Sequence, residues 1–106
     1  MIKHMKFIFI YITNPSKEVA KKIAGHLLEK KLIACANIFP IDSFYLWEGK
    51  VEEEDECVLI AKAREENFQL VKKEVEGIHP HSVPCIAKIP VAFNEKYRRW
   101  LKEATR

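Results

Sequence analysis

The stretch HPHSVPC, His79 to Cys85, sets two imidazoles and a thiol close together. Those donors suit borderline and soft divalent cations such as copper and zinc, so His79, His81 and Cys85 are candidate metal ligands. Two considerations oppose this. Backbone around a proline is extended or polyproline-like, so side chains two positions apart need not converge. A mononuclear site also takes three or four ligands, and no second cluster in the chain obviously completes one. The alternative is a proline-stiffened lead-in to a strand, and the sequence alone leaves both readings open.

Other residue types invite chemistry less strongly. Cys35, in LIACAN, reads as a small buried hydrophobe, and Cys57 as another. A Cys–His nucleophile would need a motif that places the pair, and none is visible. Lys62 is unusual because it interrupts an apolar strand segment, where an ammonium needs a partner. That partner is either a carboxylate from another subunit or an anionic ligand. Glu52 to Glu56 form an acidic run that keeps an exposed hairpin from pairing with other edges. Three glycines, scattered at 25, 49 and 77, exclude a glycine-rich phosphate loop. His4 and His26 read as surface residues, and Trp100 as core or interface.

The elements that must position these groups follow from length and pattern. With 106 residues the chain is expected to be one domain, 1–106. Hydrophobic residues make up 48% and charged residues 31%, as in ordinary globular proteins. No apolar run is long enough to span a bilayer, and MIKHMK lacks a signal-peptide pattern. Three cysteines without knuckle spacing suit reduced thiols. A cytoplasmic protein that does not insert into membranes is the expectation. The net charge of +3 is carried by scattered basic pairs, which gives no patch for nucleic acid.

KFIFIYIT (6–13) predicts a strand ending at the Asn14-Pro15 breaker. Ser16 is the expected N-cap of a helix running to about Lys31, with Val19, Ile23 and Leu27 on its apolar face. IACANIF (33–39) and SFYLW (43–47) read as extended, with Pro40 bending the chain between them. Glu48-Gly49-Lys50 suits a tight turn, and residues 51–63 return as the other hairpin arm. Residues 65–77 are helical. Residues 83–93 form a strand that Pro90 confines to an edge, and a last helix starts near Asn94.

The order β-α-β-β-α-β plus a C-terminal helix is the α+β, ferredoxin-like pattern, with an antiparallel or mixed sheet. Its first and third strands are expected to be central and parallel to each other, since they carry the continuous apolar runs. Alternation sends Phe7, Phe9 and Tyr11 to one face and Ile8, Ile10 and Ile12 to the other. Two crossover helices cover one face only. The other face predicts a homo-oligomer, because covering a few hundred Å2 at roughly 25 cal/mol per Å2 is worth several kcal/mol.

TNPS (13–16), LLEKKLIACANIFP (27–40), SFYLWEGKVEEEDE (43–56), LIAK (59–62), HPHSVPCI (79–86) and YRRWL (97–101) together resemble the CutA family of divalent-cation tolerance proteins. The resemblance covers nearly all of the chain beyond the first strand. It implies a homotrimer with an extended β-hairpin reaching into the neighbouring subunit, and shape kinship to the PII signalling trimers. It also implies no enzymatic activity, a cytoplasmic location, and a link to copper or another divalent metal that folding does not require. In that family Cys35, Tyr45, Trp47 and Lys62 fall where clefts form between subunits, the place at which PII relatives bind small anions. The copper ligands proposed for some members are a first-strand cysteine and two adjacent histidines. Ile12 and Ile78 stand at two of those positions here, which leaves His79. The family's HPY-x-VPE pattern has His81 and Cys85 in place of its tyrosine and glutamate. Competing classes are an RNA-binding module of the same strand order, which lacks an RNP-type motif here, and a small cysteine-dependent enzyme.

Overall fold

FIFIYITN forms β1 (Phe7–Asn14) in the computed structural model, which describes residues 5–106. His4, expected at the surface, lies outside the described residues. Helix α1 (Lys17–Glu29) follows, capped by Ser16, whose Oγ accepts from the Val19 N–H at 3.2 Å. That cap satisfies one of the donors every helix N-terminus leaves free. The helix ends two residues sooner than the periodicity predicts. Lys31 takes a left-handed φ of 59°, and the Leu32 N–H turns back to Leu27 O in a Schellman-type closure.

The next two strands, β2 (Cys35–Trp47) and β3 (Lys50–Arg64), pair along their whole length. Pro40 does not divide β2: it pairs opposite Cys57 inside one continuous strand. An edge strand tolerates the missing N–H on its outward side, and β2 is an edge in the sheet order β2-β3-β1-β4. Glu48 (φ 50°) and Gly49 (φ 79°) make the hairpin turn, the two left-handed residues that a type I′ connection requires.

A 3-10 turn (Glu65–Asn67) leads into α2 (Phe68–Ile78), then β4 (Ile86–Val91) and α3 (Glu95–Ala104). Strand β4 is shorter than predicted and lies at the other edge, as Pro90 suggested. Strands β1 and β3 are central, but they run antiparallel, which corrects the expectation. Each crossover skips one strand position, so β3 fills the gap between β1 and β2, and an inserted strand pairs antiparallel with both.

Ile8, Ile10 and Ile12 are wholly buried against Ile23, Leu27, Val71 and Val75 of the two crossover helices. The other face is not bare along its whole length, as two helices alone would leave it. Helix α3 folds back over the end where β1 begins and β3 finishes. There Phe93 packs edge-on to Phe7, which is only 4% exposed. Arg64 holds that helix by its C-terminal carbonyls, donating to Lys102 O at 2.6 Å, Thr105 O at 2.8 Å and Thr105 Oγ1 at 2.8 Å. A guanidinium at a helix C-terminus also meets the negative end of the helix dipole.

Beyond Asn14, β1 stops, and from Ile41↔Glu56 to Trp47↔Lys50 the hairpin strands pair only with each other. This arm stretches the molecule to 52 Å against 23 and 22 Å in the other directions. Truncating the core between sheet and helices tests this account of the fold. Ile10→Ala should lower the unfolding free energy by about 2–5 kcal/mol in chemical denaturation.

Candidate functional site

Cross-strand register brings Cys35 and Lys62 face to face on the sheet side away from α1 and α2. Helix α3 sets Tyr97 over them. Lys62 Nζ donates to Tyr97 Oη at 3.3 Å and lies 5.0 Å from the centre of its ring, a cation–π distance. Burial first, and then its hydrogen bond with Cys35, hold the Tyr97 phenol above its ordinary range. Cys35 is half-buried on an edge strand rather than enclosed in the core. Tyr97 was not singled out from the sequence. Its signal was helical spacing from Phe93 and Trp100, the aromatics it packs between.

Tyr45 and Trp47 point from the same sheet face but sit at the hairpin tip. Ten strand positions from Cys35 to Tyr45 span about 33 Å. One chain therefore does not bring Cys35, Tyr45, Trp47 and Lys62 together. Tyr45 Oη donates to Glu54 Oε1, and the phenol is pushed up to about 12, by that bond first and then by desolvation and the charges of Glu54, Glu56 and Glu52.

The histidine stretch forms the wall of a groove of ≈ 810 Å3 that runs under the projecting hairpin. Tyr11, Tyr45, Glu54 and Glu56 line one side, and His81 and Cys85 the other. His79 itself is buried and fully engaged. Its Nε2 reaches Thr13 O at 2.8 Å, and since a carbonyl only accepts, that nitrogen carries the hydrogen. Its Nδ1 accepts from the His81 N–H at 3.0 Å. No ring lone pair remains for a cation, so His79 acts as the pin that fastens the loop to the end of β1. His81 and Cys85 stay exposed. Among the described residues no three His, Cys, Asp or Glu side chains form a group that could hold a metal ion. The set His79, His81, Cys85 thus does not fit a cation within one chain.

A further titratable contact is remote from the groove. His26 is half-buried rather than free, and its Nε2 meets Glu74 Oε1 at 2.7 Å between α1 and α2. That hydrogen bond holds the Glu74 carboxyl below its usual range.

An antiparallel β-α-β-β-α-β sheet with a projecting arm and a third helix over its outer face defines a ferredoxin-like α+β protein. Residues 8–104 match the family described as CutA1 divalent ion tolerance protein. A divalent-cation tolerance protein CutA from Archaeoglobus fulgidus is 51% identical over 96 residues, covering 90% of this chain and 94% of the relative. The Archaeoglobus fulgidus structure, described as a periplasmic divalent cation tolerance protein, superposes with a TM-score of 0.93 at 48% identity, over 94% of this chain and 99% of that one. The crystal structure of CutA1 from Oryza sativa gives 0.92 at 42% identity, over 95% and 94%. The chain belongs to the CutA1 divalent ion tolerance family.

The Tyr45–Glu54 bond has a direct readout. The raised phenol stabilises the fold fully below pH 10, and that contribution disappears as pH climbs through about 12. In an ultraviolet tyrosinate titration, Glu54→Gln should move one phenol back toward its ordinary value of 10. An unchanged curve would contradict the bond.

Proposed function

We propose that the protein is a non-enzymatic homotrimer of one domain per chain, acting in the response to divalent cations. Its ligand sites are the clefts that form where one subunit's hairpin lies against the next. The observation that carries this reading is the hairpin arm. Phe44, Leu46 and Val51 are 67, 74 and 72% exposed on one side of it, and Tyr45 and Trp47 crowd the other. A lone two-stranded ribbon is marginal in water, and an apolar surface of that extent marks an interface. In an assembly, the hairpin arm of one chain, which carries Tyr45 and Trp47, can cross the sheet face of another, which carries Cys35 and Lys62.

The relatives' names supply the cation class. Copper or another divalent ion is the ligand proposed, and the cleft architecture also suits a small ligand and a PII-like signalling role. His81 and Cys85 are the exposed soft donors on the groove wall. They need donors from a neighbouring chain to complete a coordination shell. We place the protein in the cytoplasm, where the three free thiols stay reduced.

Native mass spectrometry with and without Cu2+ tests both halves. The parent should run as three chains and take up a defined number of copper ions, and a His81→Ala/Cys85→Ala variant should keep the trimer and lose the copper. A monomer at micromolar concentration overturns the assembly, and undiminished uptake by the variant removes those two donors.

A further inference from the structure

The outer sheet face carries two charges that the fold itself does not settle. Glu56 is 8% exposed and faces the groove, with no hydrogen-bond or ion-pair partner among the described residues. Lys62 is half-buried, and its contacts are the hydroxyl and ring of Tyr97, with no carboxylate among the described residues. Removing a carboxylate or an ammonium from water without a counter-charge is costly. Both residues project from the same side of β3, because six positions separate them and side chains alternate with period two. The same six positions place them about 20 Å apart, so they cannot neutralise each other within one chain.

We propose that they neutralise each other between chains. Lys62 of one subunit pairs with Glu56 of the partner subunit, in the seam where the hairpin of one chain crosses the outer sheet face of the next. This rests on the assembly proposed above and names the contact that sets its register. The two halves of the pair lie on one strand, so each chain is both donor and acceptor. A head-to-tail ring then satisfies every Lys62 and every Glu56 and leaves none over. The neighbouring groups fit the assignment. Glu52 and Glu54 share the groove with Glu56 and make it a still stronger attractor of a cation. Glu54 already accepts from Tyr45, which leaves the carboxylate of Glu56, open to the groove, as the free acceptor. On the other side, Cys35 and Tyr97 surround the ammonium with neutral groups, so the strongest available acceptor comes from outside the chain. The aromatic and apolar surface around both sites keeps water from competing once the seam closes.

A double-mutant cycle tests the pairing. Glu56→Gln and Lys62→Met each keep most of the side-chain volume while removing the charge. Circular dichroism checks that both fold, and sedimentation through a dilution series reports subunit dissociation. Each single variant should raise the dissociation constant by about 30-fold or more, and the double variant should be no weaker than the weaker single one. The charge swap Glu56→Lys/Lys62→Glu should recover much of the parent affinity. Strictly additive losses, or no rescue by the swap in a parent that does assemble, would overturn the pairing and leave the trimer standing. So would binding of inorganic phosphate to the assembled parent that Lys62→Met abolishes, since Lys62 would then be an anion site. A monomeric parent overturns the assembly itself.

Discussion

Strand β1 carries large apolar side chains on both of its faces, and that constraint governs the rest of the molecule. Its isoleucines reach one layer and its aromatics the other. A chain of this topology deploys its two crossover helices on a single side, because both βαβ turns have the same hand. Phe7, Phe9 and Tyr11 must therefore find cover elsewhere. The C-terminal helix supplies half of it. Phe93 and Tyr97 extend an aromatic row across Phe7 and Phe9, and Arg64 ties the helix down by its last carbonyls. Toward Tyr11 and the hairpin arm that cover runs out. The polar cluster of Cys35, Lys62 and Tyr97 lies under the helix, on the side of the sheet where the shelter ends.

The end of β1 is the second determinant. Past Asn14 the hairpin loses its central neighbour, and the loop from His79 to Cys85 closes against the same spot. The groove exists because three things stop or turn there: β1, the loop, and the pairing of β3 with anything but β2. Glu56 is the first residue of β3 beyond the end of β1, which is why it is buried from one side while its carboxylate looks into open space. Burial and lack of a partner have the same geometric cause.

Much of this was legible in the sequence. The period-two pattern of FIFIYI gave both faces of β1, Ser16 and Asn14-Pro15 gave the start of α1, and Pro90 gave an edge strand. Pro40 misled, because a proline stops a central strand and is harmless on an edge, and sequence does not say which strand is the edge. The mutual direction of β1 and β3 was misjudged for a similar reason: apolar runs report burial on both faces, and an antiparallel centre buries strands just as well. Glu56 was hidden inside an acidic run. Its neighbours Glu53, Glu54 and Asp55 are exposed as a charged edge should be, and only the register against Ile41 separates it from them. Tyr97 was invisible as a site residue because its role depends on where α3 folds back, a long-range contact without local signal.

The histidine stretch shows how a donor-rich sequence can resolve into structure. A histidine followed by proline sits at the C-terminal end of α2, where the chain must reverse to start an edge strand. The Val75 carbonyl still accepts from the His79 N–H, so helix and loop share this residue. Its ring then bonds a carbonyl at the end of β1 with one nitrogen and the next-but-one backbone N–H with the other. Proline at position 80 cannot donate to that ring, so the donor has to come from His81. A side chain able to bridge the Thr13 carbonyl and the His81 N–H at once must carry a donor and an acceptor on opposite edges of a rigid ring, and neutral imidazole is the side chain that does. Two neighbouring donors of similar chemistry therefore end with opposite duties: His79 holds the wall of the groove in place, and His81 with Cys85 forms the exposed surface of that wall.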